Sequence, residues 1–243
     1  MRKMNLFITL FSLLISCTNS DSSERVYQSS HFKISYTQLD DKNIKDIADS
    51  LETHYAIIVQ HLQSGELPVV NVHFYTNIID LQNAVKVSVP NLPAWAIGLA
   101  TSVSKIHMLS PNHPQQEYQQ MIRNIIHEFA HCVSLKINPT IGNNPRWLWE
   151  AVAIYEGNLP WDPHMLPYLV NQKPPSLSEL NHVSNTSIYE IGYFIADFIV
   201  QTKGYATLHN LIANNGNIKE TLNLEDAEFT KQWFAFVQSK YGL

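Results

Sequence analysis

Between Met121 and Val133 the chain reads Met-Ile-Arg-Asn-Ile-Ile-His-Glu-Phe-Ala-His-Cys-Val, and this segment constrains the fold more than any other. Ile122, Ile125, Ile126, Phe129 and Val133 recur at the spacing of a helix buried in a core. Through that apolar surface runs a stripe of Asn124, His127, His131 and Ser134, because residues three and four apart share a helix face. The helix has to stop before Asn138-Pro139, since the residue preceding a proline disfavours the α region. Two imidazoles on one face can reach one ion, and Glu128, about 100° around the helix, can reach water bound to it. The alternative is a pair of core histidines satisfied by ordinary hydrogen bonds.

A catalytic zinc takes three protein ligands and leaves one position open, so a third ligand is the next requirement. Glu150 answers it, with eighteen residues between it and His131, in Trp147-Leu-Trp-Glu-Ala-Val-Ala-Ile-Tyr155. Asn144 can cap this second helix, and Pro145 suits its first turn. On such a helix Glu150 lies beside Trp147, Ala153 and Ile154, where a bare carboxylate is costly unless paired or bound to metal. Rotated the other way, it would be a boundary glutamate facing solvent.

The surrounding pattern predicts an α+β fold. His31 to Tyr36 and Pro68 to Tyr75 have strand character, separated by helical periodicity from Ile44 to Leu62. A short helix over Ile78 to Val85 and extended segments at Trp95 to Thr101 and Lys105 to Leu109 complete a small sheet. Beyond Pro114 the pattern is helical, at Gln115 to Lys136, Pro145 to Tyr155, Ser187 to Gln201 and Glu225 to Lys240. Sheet first and helices after argues a small N-terminal mixed sheet followed by a mostly helical half.

Together, His127-Glu-Phe-Ala-His131, the gap, and Trp-Leu-Trp-Glu150-Ala-Val-Ala-Ile-Tyr155 resemble the gluzincin metallopeptidases, in particular their peptidase MA-like branch. A weaker likeness runs from about Val72 through Gly98-Leu-Ala and Lys105-Ile-His-Met-Leu to the C-terminal helices. The resemblance implies a zincin-like fold with its cleft between the two halves. It also implies one zinc ion per chain on His127, His131 and Glu150, Glu128 as general base, and a peptide or protein substrate. Tyr189 matches a tyrosine often seen after the glutamate in this branch, where it would donate to an oxyanion; Tyr193 is four residues on, and either can instead be aromatic core. Where the branch usually has glycine after its ligand glutamate this chain has Ala151. Where thermolysin-type members have an aspartate it has Ile154, which leaves Asn124 as the substitute partner for the first histidine. The Gly-x-Met-Glu-Asn segment of related aminopeptidases is absent, which favours an endopeptidase. Trp95 to Leu109 resembles the edge strand on which such enzymes lay an extended peptide. The competing function is a non-catalytic zinc-binding lipoprotein that keeps the fold as a binding module.

At the N-terminus Arg2 and Lys3 precede an apolar stretch from Leu6 to Ile15, a secretory signal layout too short to span a bilayer comfortably. It ends in Leu14-Ile15-Ser16-Cys17, which resembles the lipobox of bacterial lipoproteins and implies lipidation of Cys17. The alternative is an ordinary cleaved signal. This divides the chain into a signal at 1–16, a polar tether at 17–26 and one peptidase domain at 27–243. It also tethers the domain outside the cytoplasm to a bacterial membrane, the outer one being favoured by the residue after the cysteine. With Cys17 lipidated, Cys132 has no disulfide partner and reads as a small buried hydrophobe. With 45% hydrophobic and 15% charged residues the chain has the composition of a globular domain. A net charge of -5 without any long Lys/Arg run excludes the electrostatic footprint of a nucleic-acid binder.

Overall fold

The computed structural model describes residues 23–90, 92–93, 95–114 and 116–243. The signal segment and Cys17 lie outside the described residues. Strands β1 (Arg25–Gln28) and β2 (Phe32–Tyr36) pair antiparallel, with Arg25 opposite Tyr36. A 3-10 turn at Gln38–Asp40 leads into helix α1 (Asp41–Leu62), which returns the chain to β3 (Val70–Tyr75), parallel to β2. Helix α2 (Ile78–Val85) then precedes β4 (Gly98–Ser102) and β5 (Lys105–Leu109). The sheet order is β1-β2-β3-β5-β4, with β5 parallel to β3 and antiparallel to β4, so β4 forms one edge. Alternation decides which face is covered. Phe32, Ile34, Val70, Val72, Phe74, Ile106 and Met108 are all buried in the core that also takes Ile44, Ile47, Leu51 and Ile58 of α1.

The remaining chain is helical: α3 (Tyr118–Ile137), α4 (Arg146–Glu156), α5 (Pro167–Val170), α6 (Leu177–Asn181), α7 (Ile188–Lys203), α8 (Tyr205–Ala213), α9 (Ile218–Leu222) and α10 (Asp226–Tyr241). The architecture is therefore α+β, a five-stranded mixed sheet with ten α-helices among the described residues. None of the described helices is long and apolar enough to cross a membrane.

Three differences from the sequence expectation have physical reasons. Arg25 and Val26, assigned to the tether, belong to β1, whose pairing partner β2 supplies the order that four residues alone cannot. The extended segment expected from Trp95 is a strand only from Gly98, where a Cβ would run into the Met108 sulfur across the pair. The helical stretch ending near Gln201 continues as two helices, because Gly204 at φ 82° turns the chain between α7 and α8.

Candidate metal centre

Helix α3 starts where the Glu117 carboxylate accepts hydrogen bonds from the backbone N–H groups of Gln119 (3.0 Å) and Gln120 (2.6 Å). It ends at Ile137, one residue before Asn138-Pro139, and the Asn138 side chain fastens that end to the Ile212 carbonyl at 2.8 Å. Ile125, Phe129, Cys132 and Val133 point into the core, so the polar stripe faces α4 and β4. Cys132 is fully buried and burial pushes its thiol pKa well up, which makes it an inert apolar filler.

Helix α4 brings Glu150 against that stripe. Its N-terminus is capped by Asn181 of α6, whose side-chain oxygen accepts from Trp147 N at 3.1 Å, and not by Asn144 as the local sequence suggests. Against α7 it fits closely because Gly192 has no side chain: a Cβ there would stand 3.0 Å from Ile154 Cδ1 and 3.1 Å from Ala151 Cα. Ile154 therefore packs on α7. At the other end of α4, Gly157 lies so near α3 that a Cβ on it would stand 3.2 Å from His127 Cβ.

The result is a convergence of three ligand atoms. Glu150 Oε2 lies 3.5 Å from His127 Nε2 and 3.8 Å from His131 Nε2, and the three groups sit within 4.8 Å of one another. Among the described residues this is the one group of three or more His, Cys, Asp or Glu side chains close enough to hold a metal ion. Glu150 Oε1 accepts from the Tyr189 hydroxyl at 3.3 Å, whereas the buried Oε2 has no hydrogen-bond partner. A buried carboxylate oxygen without a donor is expensive, and the two imidazole nitrogens, at 3.5 and 3.8 Å, make no hydrogen bond to it that would remove that cost. A cation between the three removes it. By this measure the residues fit a metal, and two nitrogens with one oxygen suit zinc.

Around the cluster the groups push one another apart in protonation. Burial favours the neutral form of His127, but the Glu150 carboxylate facing its Nε2 and the charge of Glu128 outweigh it and raise its pKa. Burial and the neighbouring His127 charge take His131 well below its ordinary value. Glu128 is pushed up to about 7, first by burial and then by the Glu150 charge, against the pull of His127 and the Ala100 N–H. Its Oε2 accepts from that N–H at 2.7 Å, which ties it to the edge strand β4.

The structure distinguishes the two tyrosines of α7. Tyr189 reaches Glu150; Tyr193 packs its ring against Tyr155 at 5.3 Å and makes no contact with the three ligands. Asn124 does not partner His127: it accepts from Gln120 at 3.1 Å, and His127 Nδ1 is buried without a hydrogen bond.

Three further residues shape the site that the sequence reasoning passed over. Buried Arg146 donates through Nη1 to the carbonyls of Asn185 (2.6 Å), His182 (3.2 Å) and Leu180 (3.4 Å), and its guanidinium lies 5.2 Å from the Tyr189 ring centre. The signal was available, because Arg146 is four residues before Glu150 and shares its face. Burial first, and the Glu150 charge second, raise the Tyr189 phenol pKa against the opposing Arg146, so the hydroxyl stays a proton donor at neutral pH. Trp95, 60% exposed, meets the Tyr189 ring edge-on at 5.6 Å. Trp149 stacks flat on the His131 ring, 3.8 Å between centres and 8° between planes.

Neither protein-family models nor curated protein sequences match this chain.

Proposed function

We propose that the chain is a zinc metallopeptidase of the gluzincin type, in the peptidase MA-like branch, acting as an endopeptidase on peptide or protein substrates. The observation that carries this reading is the buried, unpartnered Glu150 Oε2 facing His127 Nε2 and His131 Nε2, with Glu128 between the two histidines on α3. Zinc held by these residues supplies an acidified water, with a pKa of about 7, and a Lewis acid for the scissile carbonyl. Glu128 accepts the proton of the attacking water and returns it to the leaving amine, using the carboxylate oxygen not engaged by Ala100. Tyr189 turns its hydroxyl from Glu150 to the oxygen that gains charge. In a zincin-like cleft between the sheet and the helical half, the edge strand β4, apart from the Ala100 N–H that Glu128 holds, offers its backbone to an extended peptide, which pairs with it as an added strand. Cys17 anchors the protein outside the cytoplasm through lipid, at the outer membrane of a bacterium.

The test separates ligand from base. In the purified full-length chain, His127→Ala, His131→Ala and Glu150→Ala each lose tight zinc binding, because each removes one of three ligands. Glu128→Gln keeps about one zinc per chain while hydrolysis of casein falls by on the order of 100-fold or more. Zinc binding without any cleavage of casein or a diverse peptide library would leave a binding module. A wild-type chain that binds no zinc, or a Glu150→Ala variant that retains it fully, would show the site to be wrong.

A further inference from the structure

Metal-ligating histidines are ordinarily held in orientation by a hydrogen bond from the second ring nitrogen to a carboxylate, carbonyl or water. His131 has no such bond from the protein: its Nδ1 is buried and unpartnered, and Ser134, one turn along α3, has an equally unpartnered hydroxyl. The ring is met edge-on by that of His127 at 4.6 Å and is covered on its face by the indole of Trp149, nearly parallel at 3.8 Å. Trp149 is buried, immediately precedes Glu150, and is carried by the same rigid helix.

We propose that Trp149 is the positioning residue of this metal centre, fixing the plane of the His131 imidazole by stacking where a hydrogen bond would otherwise do so. The inference rests on the metal-centre reading above. Stacking fixes the plane of a ring but leaves its two flipped states open; Glu150 Oε2, 3.8 Å from Nε2, selects the state in which Nε2 faces the ligand cluster. Coordination draws electron density out of an imidazole, and an electron-poor ring sits more favourably on the electron-rich face of an indole. The stack therefore tightens as the metal binds, which couples Trp149 to metal affinity and not only to packing. Because Trp149 and Glu150 are neighbours on one helix, any shift of α4 moves the third ligand and the clamp on the second together.

Two measurements on the full-length protein test this, neither relying on hydrolysis. First, zinc affinity is determined by competition with a chromophoric chelator for wild type, Trp149→Phe and Trp149→Leu. The unfolding midpoint of the metal-free forms is measured alongside. Leucine, which fills space without an aromatic face, weakens zinc binding by about 10- to 100-fold, and phenylalanine, which keeps a smaller face, recovers most of that loss. Second, the ring-proton resonances of His131 in histidine-labelled wild-type protein lie upfield of those of His127 because of the indole ring current, which needs no variant to fold. A wild-type protein that binds no zinc overturns the metal-centre reading, and this inference with it. A wild-type protein that binds zinc, with Trp149→Leu binding equally tightly or His131 showing no upfield shift, overturns the positioning role alone.

Discussion

Replacing Gly192 with alanine sets two terms against each other. In the middle of a helix such as α7, alanine is favoured over glycine by about 1 kcal/mol. The new methyl would stand 3.0 Å from Ile154 Cδ1 and 3.1 Å from Ala151 Cα, where ordinary contact begins at 3.4 Å. The end of Ile154 can swing aside; the Ala151 Cα is backbone and cannot, so α7 must withdraw from α4 by a few tenths of an ångström. Overpacking of this kind costs about 1–3 kcal/mol. The net expectation is a loss of about 1 kcal/mol for Gly192→Ala and roughly 3 kcal/mol for Gly192→Val, which adds two more methyl groups at the same contact. With a urea m-value of about 2–3 kcal/mol/M, the alanine midpoint falls by about 0.4 M, followed by far-UV circular dichroism. Tyr189 lies one turn before Gly192, so the same withdrawal takes its hydroxyl away from Glu150 and, under the proposed function, is expected to lower turnover. An alanine variant more stable than wild type by the full helix gain would mean that α4 and α7 do not press together at this point, and the reasoning would fall.

Under the proposed mechanism Tyr189→Phe removes a donor needed only when charge develops, so turnover is expected to drop by about 10- to 1000-fold with zinc content and KM nearly unchanged; a wild-type turnover number would take Tyr189 out of the mechanism. Stability depends on pH through His107, which is 3% exposed with its Nδ1 2.7 Å from the Tyr75 hydroxyl. Burial first, then the charges of Lys105 and His73, depress its pKa from 6.5 to about 4. The folded state resists a proton that the unfolded chain accepts, so this contribution is whole above pH 6.5 and is lost as pH falls toward 4. Its ceiling is (6.5 − 4) × 1.36, about 3 kcal/mol. Urea unfolding at pH 7 and 4.5 measures the slope, His107→Gln flattens it, and an unchanged slope in that variant would refute the assignment.

Much of this was legible because helical period and proline stops act locally. α2 and β5 run over the residues their patterns indicated, and α3 ends at the residue before Asn138-Pro139. The convergence of His127, His131 and Glu150 was legible for the same reason, since two helix faces and one apolar setting left few arrangements. What escaped was supplied from a distance. The cap of α4 comes from Asn181 on α6, the strand character of Arg25–Gln28 comes from pairing with β2, and the clamp on His131 comes from a tryptophan on another helix. The rotation of α7 chooses Tyr189 over Tyr193, and that rotation follows from where Gly192 docks on Ala151 and Ile154, which no residue pattern within α7 announces.

The bond between Glu128 and position 100 has an evolutionary consequence. The donor is the amide of Ala100, so the contact itself does not depend on which side chain the core accepts there, proline excepted, which has no N–H to give. An interaction of this kind leaves no trace in amino-acid preference, and an alanine scan passes over it because the residue is already alanine. Its importance is written in the path of the main chain, where only an amide-to-ester replacement between Leu99 and Ala100 can erase it without disturbing a single side chain.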